Sequence, residues 1–130
     1  WEKSDKGDYS MKSYLINAKD ELIVEVDCKD YHHKLELLNC RMLEIYPYQV
    51  NGNDIWTDEE GNLKEYNHFF QLDDVIVSGN AIIQSCNDEG DSVEPKGLTL
   101  DELKSRVTFM GKRYIDQAKL FSNFTIEEWK

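Results

Sequence analysis

Met11-Lys12-Ser13-Tyr14-Leu15-Ile16 and Leu22-Ile23-Val24-Glu25-Val26-Asp27 are two β-type runs on either side of a polar turn, Asn17-Ala18-Lys19-Asp20-Glu21. The pattern predicts a β-hairpin. In the second run Leu22, Val24 and Val26 alternate with Ile23, Glu25 and Asp27, so one face is apolar throughout and the other turns polar, which suits an outer strand. An antiparallel sheet is therefore the first element, and the rest of the chain is read as what extends or covers it.

Downstream, Asp30 is placed to cap a short helix carrying Tyr31, Leu35 and Leu38 at helical spacing. Residues 42–50 return to a β pattern that Pro47 must interrupt or end, because proline cannot donate to a ladder. Asn51-Gly52 predicts a tight turn before a short strand, Ile55-Trp56-Thr57, and Asp58-Glu59-Glu60-Gly61 a second one. Residues 62–72 are rich in aromatics and read as a long connection. Two more β runs follow, Val75-Ile76-Val77 and Ala81 to Cys86. Thr99-Leu100-Asp101-Glu102 is a capping box, and its helix is expected to carry Leu100, Leu103, Val107 and Phe109 or Met110 inward until Gly111. A further helix is expected over 112–121, and Thr125-Ile126-Glu127-Glu128 repeats the capping pattern. The order predicts a single α+β domain over 11–130: mostly antiparallel sheet, one short helix after the first hairpin, and C-terminal helices. Residues 1–10 are polar and precede a natural-looking start at Met11, so a disordered tail or cloning remnant is expected there.

With 130 residues and a net charge of −11, the chain is long enough for one core and too acidic to wrap duplex DNA or dock on an anionic membrane. Three cysteines, an odd number, point to free thiols in a reducing cytoplasm. No apolar run is long enough to span a bilayer.

The chemistry-bearing residues assemble no known motif. Cys28, His32, His33 and Cys40 are zinc-ligand types, but their spacing matches no common closed site. Cys86 enters the acidic turn Asn87-Asp88-Glu89, a field that raises a thiol pKa, so a catalytic cysteine is not expected. Neither Asp58-Glu59-Glu60-Gly61 nor Asn87-Asp88-Glu89-Gly90-Asp91 completes a calcium loop, since Asn67 and Lys96 stand where the bidentate glutamate belongs. Phosphate-cradling glycine loops are absent. No catalytic residue, metal or cofactor is assigned. The candidate binding residues are the aromatics Trp56, Tyr66, Phe69 and Phe70, the carboxylates Asp58, Glu59 and Glu60, and the arginines Arg41 and Arg106.

Several ordered segments carry a resemblance. They are Met11 to Ile16, Asn39-Cys40-Arg41, Trp56-Thr57-Asp58-Glu59-Glu60-Gly61-Asn62-Leu63, Asn67 before Phe69-Phe70, Gly79-Asn80-Ala81-Ile82-Ile83, Asp88-Glu89-Gly90-Asp91 and Leu98 to Leu103. Across roughly residues 11–109 the chain resembles a family of small proteins of unknown function from phages, plasmids and integrative elements, mostly of Gram-positive bacteria. Asn62 stands where that family usually has leucine. The resemblance implies a mobile-element habitat, often among genes that counter host defences, and assigns no reaction. Three functions are weighed, an enzyme ranking last because no nucleophile, base or metal set assembles. The first is a non-enzymatic protein whose acidic surface, including Asp73, Asp74, Asp88, Glu89 and Asp91, engages a host protein. The alternative sequesters a small nucleotide ligand in an aromatic and arginine pocket. An exposed sheet edge also makes a homodimer an expectation.

Overall fold

The structure, a computed structural model, describes residues 11–60 and 66–114. The hairpin forms as expected, with β1 (Met11–Asn17) and β2 (Leu22–Cys28) antiparallel in a register that pairs Met11 with Cys28 and Asn17 with Leu22. The Asn17 side chain accepts from the Asp20 amide at 3.0 Å and closes the turn, an Asx arrangement that the residue type favours. Next come α1 (Tyr31–Leu38), β3 (Leu43–Ile45), β4 (Asp54–Asp58), β5 (Tyr66–Leu72), β6 (Val75–Ser78), β7 (Ala81–Cys86), β8 (Ser92–Val93), α2 (Leu100–Arg106) and β9 (Val107–Tyr114).

These elements make two antiparallel sheets in a single α+β domain. The larger runs β2-β1-β7-β4-β3, with β8 paired to the end of β7, and the smaller runs β6-β5-β9. Partners directly opposite in a ladder share a face. Tyr14, Ile83 and Ile55 therefore lie on one face of the large sheet, and Leu15, Ile82 and Trp56 on the other. The first face meets the small sheet and α2, burying Ile16, Ile55 and Ile83 against Phe70, Leu72, Val77 and Leu103. The second is covered by α1, where Leu35 and Leu38 pack on Ile82, Leu43 and Trp56. The layers run helix, large sheet, then small sheet with helix.

The structure corrects the reading of the last third. The capping box is present in both halves, Thr99 Oγ1 accepting from the Glu102 amide at 3.1 Å and Glu102 Oε1 from the Thr99 amide at 3.0 Å. The helix stops at Arg106, however, and Val107 begins a strand. Leu100, Leu103 and Val107 fit a helical row, but Val107 and Phe109 fit a strand equally well, and pairing with β5 decides between them. Gly111 does not end a helix. It sits in β9 with φ 79° beside a bulge, where Phe69 opposes Gly111, Phe70 opposes Phe109 and Met110 is the extra residue. Residues 112–114 are likewise strand rather than helix. The rest of the expected 112–121 helix, the second capping pattern and the 1–10 tail lie outside the described residues. The presumed connection 62–72 is β5 from Tyr66 onward.

In β2 the apolar row faces the wrong way for the expectation: Leu22 and Val24 are exposed, at 51% and 38%, while Ile23 is buried in the two-sheet core. The edge strand turns Ile23 toward the small-sheet layer, and α1 does not reach over Leu22 and Val24.

Phe70 is fully buried between the sheets. Truncation leaves a cavity that this packed layer cannot collapse into, so Phe70→Ala is expected to lower unfolding free energy by about 3–5 kcal/mol in urea titration, and Phe70→Leu by much less. A Phe70→Ala cost below about 1 kcal/mol would show that β5 does not close the core.

Candidate functional site

On the α1 side of the large sheet, α1 covers the centre and leaves a cavity of about 340 Å³ toward its N-terminal half. Trp56 of β4 and Gln84 of β7 form its floor, Tyr31 and Lys34 of α1 one wall, and Asp91 and Ser92 the other. The floor residues share a face because Trp56 opposes Ile82 and Asp54 opposes Gln84 in the β4–β7 ladder.

Lys34 is the unexpected member. It is only 4% exposed, whereas Tyr31, expected to face the sheet, is 47% exposed. The helix is rotated so that Lys34 and Leu38, four residues apart, point at the sheet together. Lys34 Nζ stands 3.8 Å from the centroid of the Trp56 ring and donates to Ser92 Oγ at 3.0 Å. No carboxylate of the described residues pairs with it. Burial pushes the Lys34 pKa below the usual lysine range, and the nearby Cys28 and Asp54 act against that shift. Burial in turn pushes the Cys28 thiol up.

Two more polar atoms here lack partners. Trp56 Nε1 and Gln84 Oε1 are buried without a hydrogen bond among the described residues. The Gln84 side chain is 1% exposed, and its Nε2 donates to Ser13 Oγ at 2.8 Å. Each such group costs about 1–3 kcal/mol when left unmade. The cavity thus has a buried cation beside it, and two of its lining residues, Trp56 and Gln84, carry a buried donor and a buried acceptor that neighbours close off from the open space. Lys29, Asp30 and Asp91 also line the cavity but are exposed, and Asp30 Oδ1 is already used in capping α1, accepting from the His33 amide at 2.9 Å.

Of the candidate binding residues, Trp56 lines this cavity, and Asp91 of the expected acidic surface joins it. Phe69 and Phe70 are 2% and 0% exposed, so they are core side chains that a ligand does not reach. Tyr66 lies at the start of β5, its side chain outside the described residues. Arg41 is exposed and pairs with Glu60 at 2.7 Å on the surface, a contact worth little in water. Asp58 accepts from the Glu60 amide at 2.8 Å in the turn, and Glu59 is exposed. These acids crowd Glu44, whose carboxyl is pushed up by burial and by the charges of Glu59 and Asp58. Arg106 is structural. Its guanidinium grips Asp73 with two hydrogen bonds and reaches Asn51 Oδ1 at 3.0 Å, while the Tyr48 hydroxyl donates to the same Asp73 at 2.6 Å. Arg106 thereby ties the end of α2 to the β5–β6 turn and to the Asn51-Gly52 turn.

A second, polar cavity of about 230 Å³ includes Lys19, Asp58, His68 and Asn80. Among the described residues no three His, Cys, Asp or Glu side chains gather as a metal site, and no helix is long and apolar enough to cross a membrane. No family model, curated protein or solved structure matches the chain.

Two measurements separate site from scaffold. Arg106 holds the Asp73 carboxyl below its ordinary value of 3.8. Its stabilisation is therefore complete above that pH and is lost as pH falls through the lower, folded value. Asp73→Asn is expected to cost about 1–2 kcal/mol at pH 7, the difference shrinking toward pH 2. Lys34 runs the other way. Its lowered pKa means the folded state resists its charge, a penalty present at low pH and relieved as pH rises through the folded pKa toward 10.5. Lys34→Met is expected to raise stability at pH 7 by about 1 kcal/mol, with the advantage narrowing toward pH 10. Destabilisation by this variant would make Lys34 a structural residue.

Proposed function

We propose that the chain is a non-enzymatic binding protein whose cavity beneath α1 holds a small anion. The observation that carries this is Lys34, a buried cation that lies over an aromatic ring and makes no ion pair with a carboxylate among the described residues. Buried charges are ordinarily paired, and an unpaired one beside a cavity is the arrangement an anionic ligand completes. The volume suits a small molecule. The aromatic component of the expected pocket is Trp56, and the cation is Lys34 in place of Arg41 and Arg106, both of which are engaged with carboxylates. In the mobile-element setting that the residue order suggests, such a pocket sequesters a small host signal in the cytoplasm.

The acidic surface supports a second reading, contact with a basic host protein. The observation behind it is the gathering of Asp58 and Glu59 near Glu44, where burial first and then those charges push the Glu44 carboxyl up. This association would weaken steeply with salt.

The test of the first reading is thermal unfolding with millimolar inorganic phosphate, mononucleotides and dicarboxylates. A bound ligand at a hundred times its Kd adds about 2.7 kcal/mol of stability. At least one of these anions is expected to raise the Tm of the parent protein and leave Lys34→Met unmoved. No shift with any of them, or the same shift in the variant, overturns the reading.

A further inference from the structure

We infer that the cavity beneath α1 selects anions carrying a hydrogen-bond donor beside their charge, as protonated phosphate and phosphomonoesters do and sulfate does not. This rests on the anion reading of the cavity and refines it. Lys34 and Trp56 Nε1–H are donors and would take oxygen acceptors from any oxyanion. Gln84 Oε1 is an acceptor, buried and unpartnered, on the same floor. The amide is oriented with its nitrogen toward the other side: Nε2 donates to the fully buried Ser13 Oγ at 2.8 Å. With the nitrogen engaged on that side, the oxygen is left over.

An acceptor-only oxyanion would set its lone pairs against Gln84 Oε1 and leave that atom unsatisfied. A P–O–H group donates to it while the remaining oxygens accept from Lys34 and Trp56. Both unpartnered atoms are closed off by neighbours, so the ligand enters with a small shift of the Gln84 and Trp56 side chains. The exposed carboxylates of Asp30 and Asp91 oppose any anion, but water screens them, whereas Lys34 acts from inside the protein. A missing donor at such a site lowers affinity by about 10- to 100-fold.

The experiment is calorimetric titration at pH 6 and fixed ionic strength with inorganic phosphate, methyl phosphate and sulfate. At that pH about half of the methyl phosphate keeps its proton. The parent protein is expected to bind a phosphate species at least 10-fold more tightly than sulfate, Gln84→Met to bring the two together, and Lys34→Met to abolish both. Tighter methyl phosphate identifies a phosphomonoester as the ligand type, and tighter inorganic phosphate the free ion. Equal binding of phosphate and sulfate, abolished by Lys34→Met, overturns the selectivity and leaves the anion cavity standing. No binding of the three, or binding unmoved by Lys34→Met, overturns both. The phosphate-to-sulfate ratio of the parent protein decides the matter even if Gln84→Met fails to fold.

Discussion

β7 is hydrogen-bonded on both sides, to β1 and to β4, and every residue from Ala81 to Ser85 is buried. A strand in that position must fill two faces at once, and this constraint organises the molecule. Ile83 goes to the layer between the sheets and Ile82 to the layer under α1. Gln84 is the exception. It lies on the Ile82 face, where another isoleucine would extend the layer, and it carries an amide whose oxygen nothing satisfies. The cavity sits where the apolar filling of that face stops. Lys34 comes to the same place from the helix above, so two departures from a plain core meet at one point.

Charge sharpens the contrast. The chain carries −11, so its long-range field repels anions. That field is the sum of exposed groups and decays over roughly 8–10 Å at physiological salt. A contact at about 4 Å with an effective dielectric near 20 is worth about 4 kcal/mol before desolvation, several times the same contact in water. Asp30 and Asp91 also line the cavity but are exposed and water-screened, whereas Lys34 is buried and would act on a bound anion with less screening. On the anion proposal, the negative surface would govern how fast an anion arrives more than whether it is held.

Much of the fold was legible. The first hairpin follows from alternation around Asn17–Glu21, and the start of α2 from Thr99 and Glu102, because these depend on local chemistry alone. β5 and β9 were not, since each is defined by pairing with the other across more than thirty residues, and Val107 fits both periods. The site was less legible still. Trp56 stood out as a large aromatic near a turn, but Phe69 and Phe70 carried the same mark and are core. Lys34 looks in sequence like any helix-surface lysine. Its readable clue is placement four residues before Leu38, in the row that packs on the sheet. Gln84 has a similar clue, a lone amide in the run Ala81-Ile82-Ile83-Gln84. Polar residues that interrupt an apolar period mark such positions better than clusters of like residues do.

The choice of partner for Lys34 carries its own logic. A carboxylate at the position of Trp56 would neutralise the ammonium and occupy the space an anionic ligand needs. An aliphatic side chain there would leave the charge with nothing to offset burial beyond one serine hydroxyl. The indole face does neither. It offers about 0.5–2 kcal/mol of attraction, enough to hold the ammonium in place and too little to satisfy it. The cation is kept buried and positioned, with no ion-pair partner among the described residues. In a purely structural core the same volume would be filled more stably by methionine at 34 and leucine at 84. Retaining a lysine over a ring, beside an unbonded amide oxygen, makes physical sense when something else completes them.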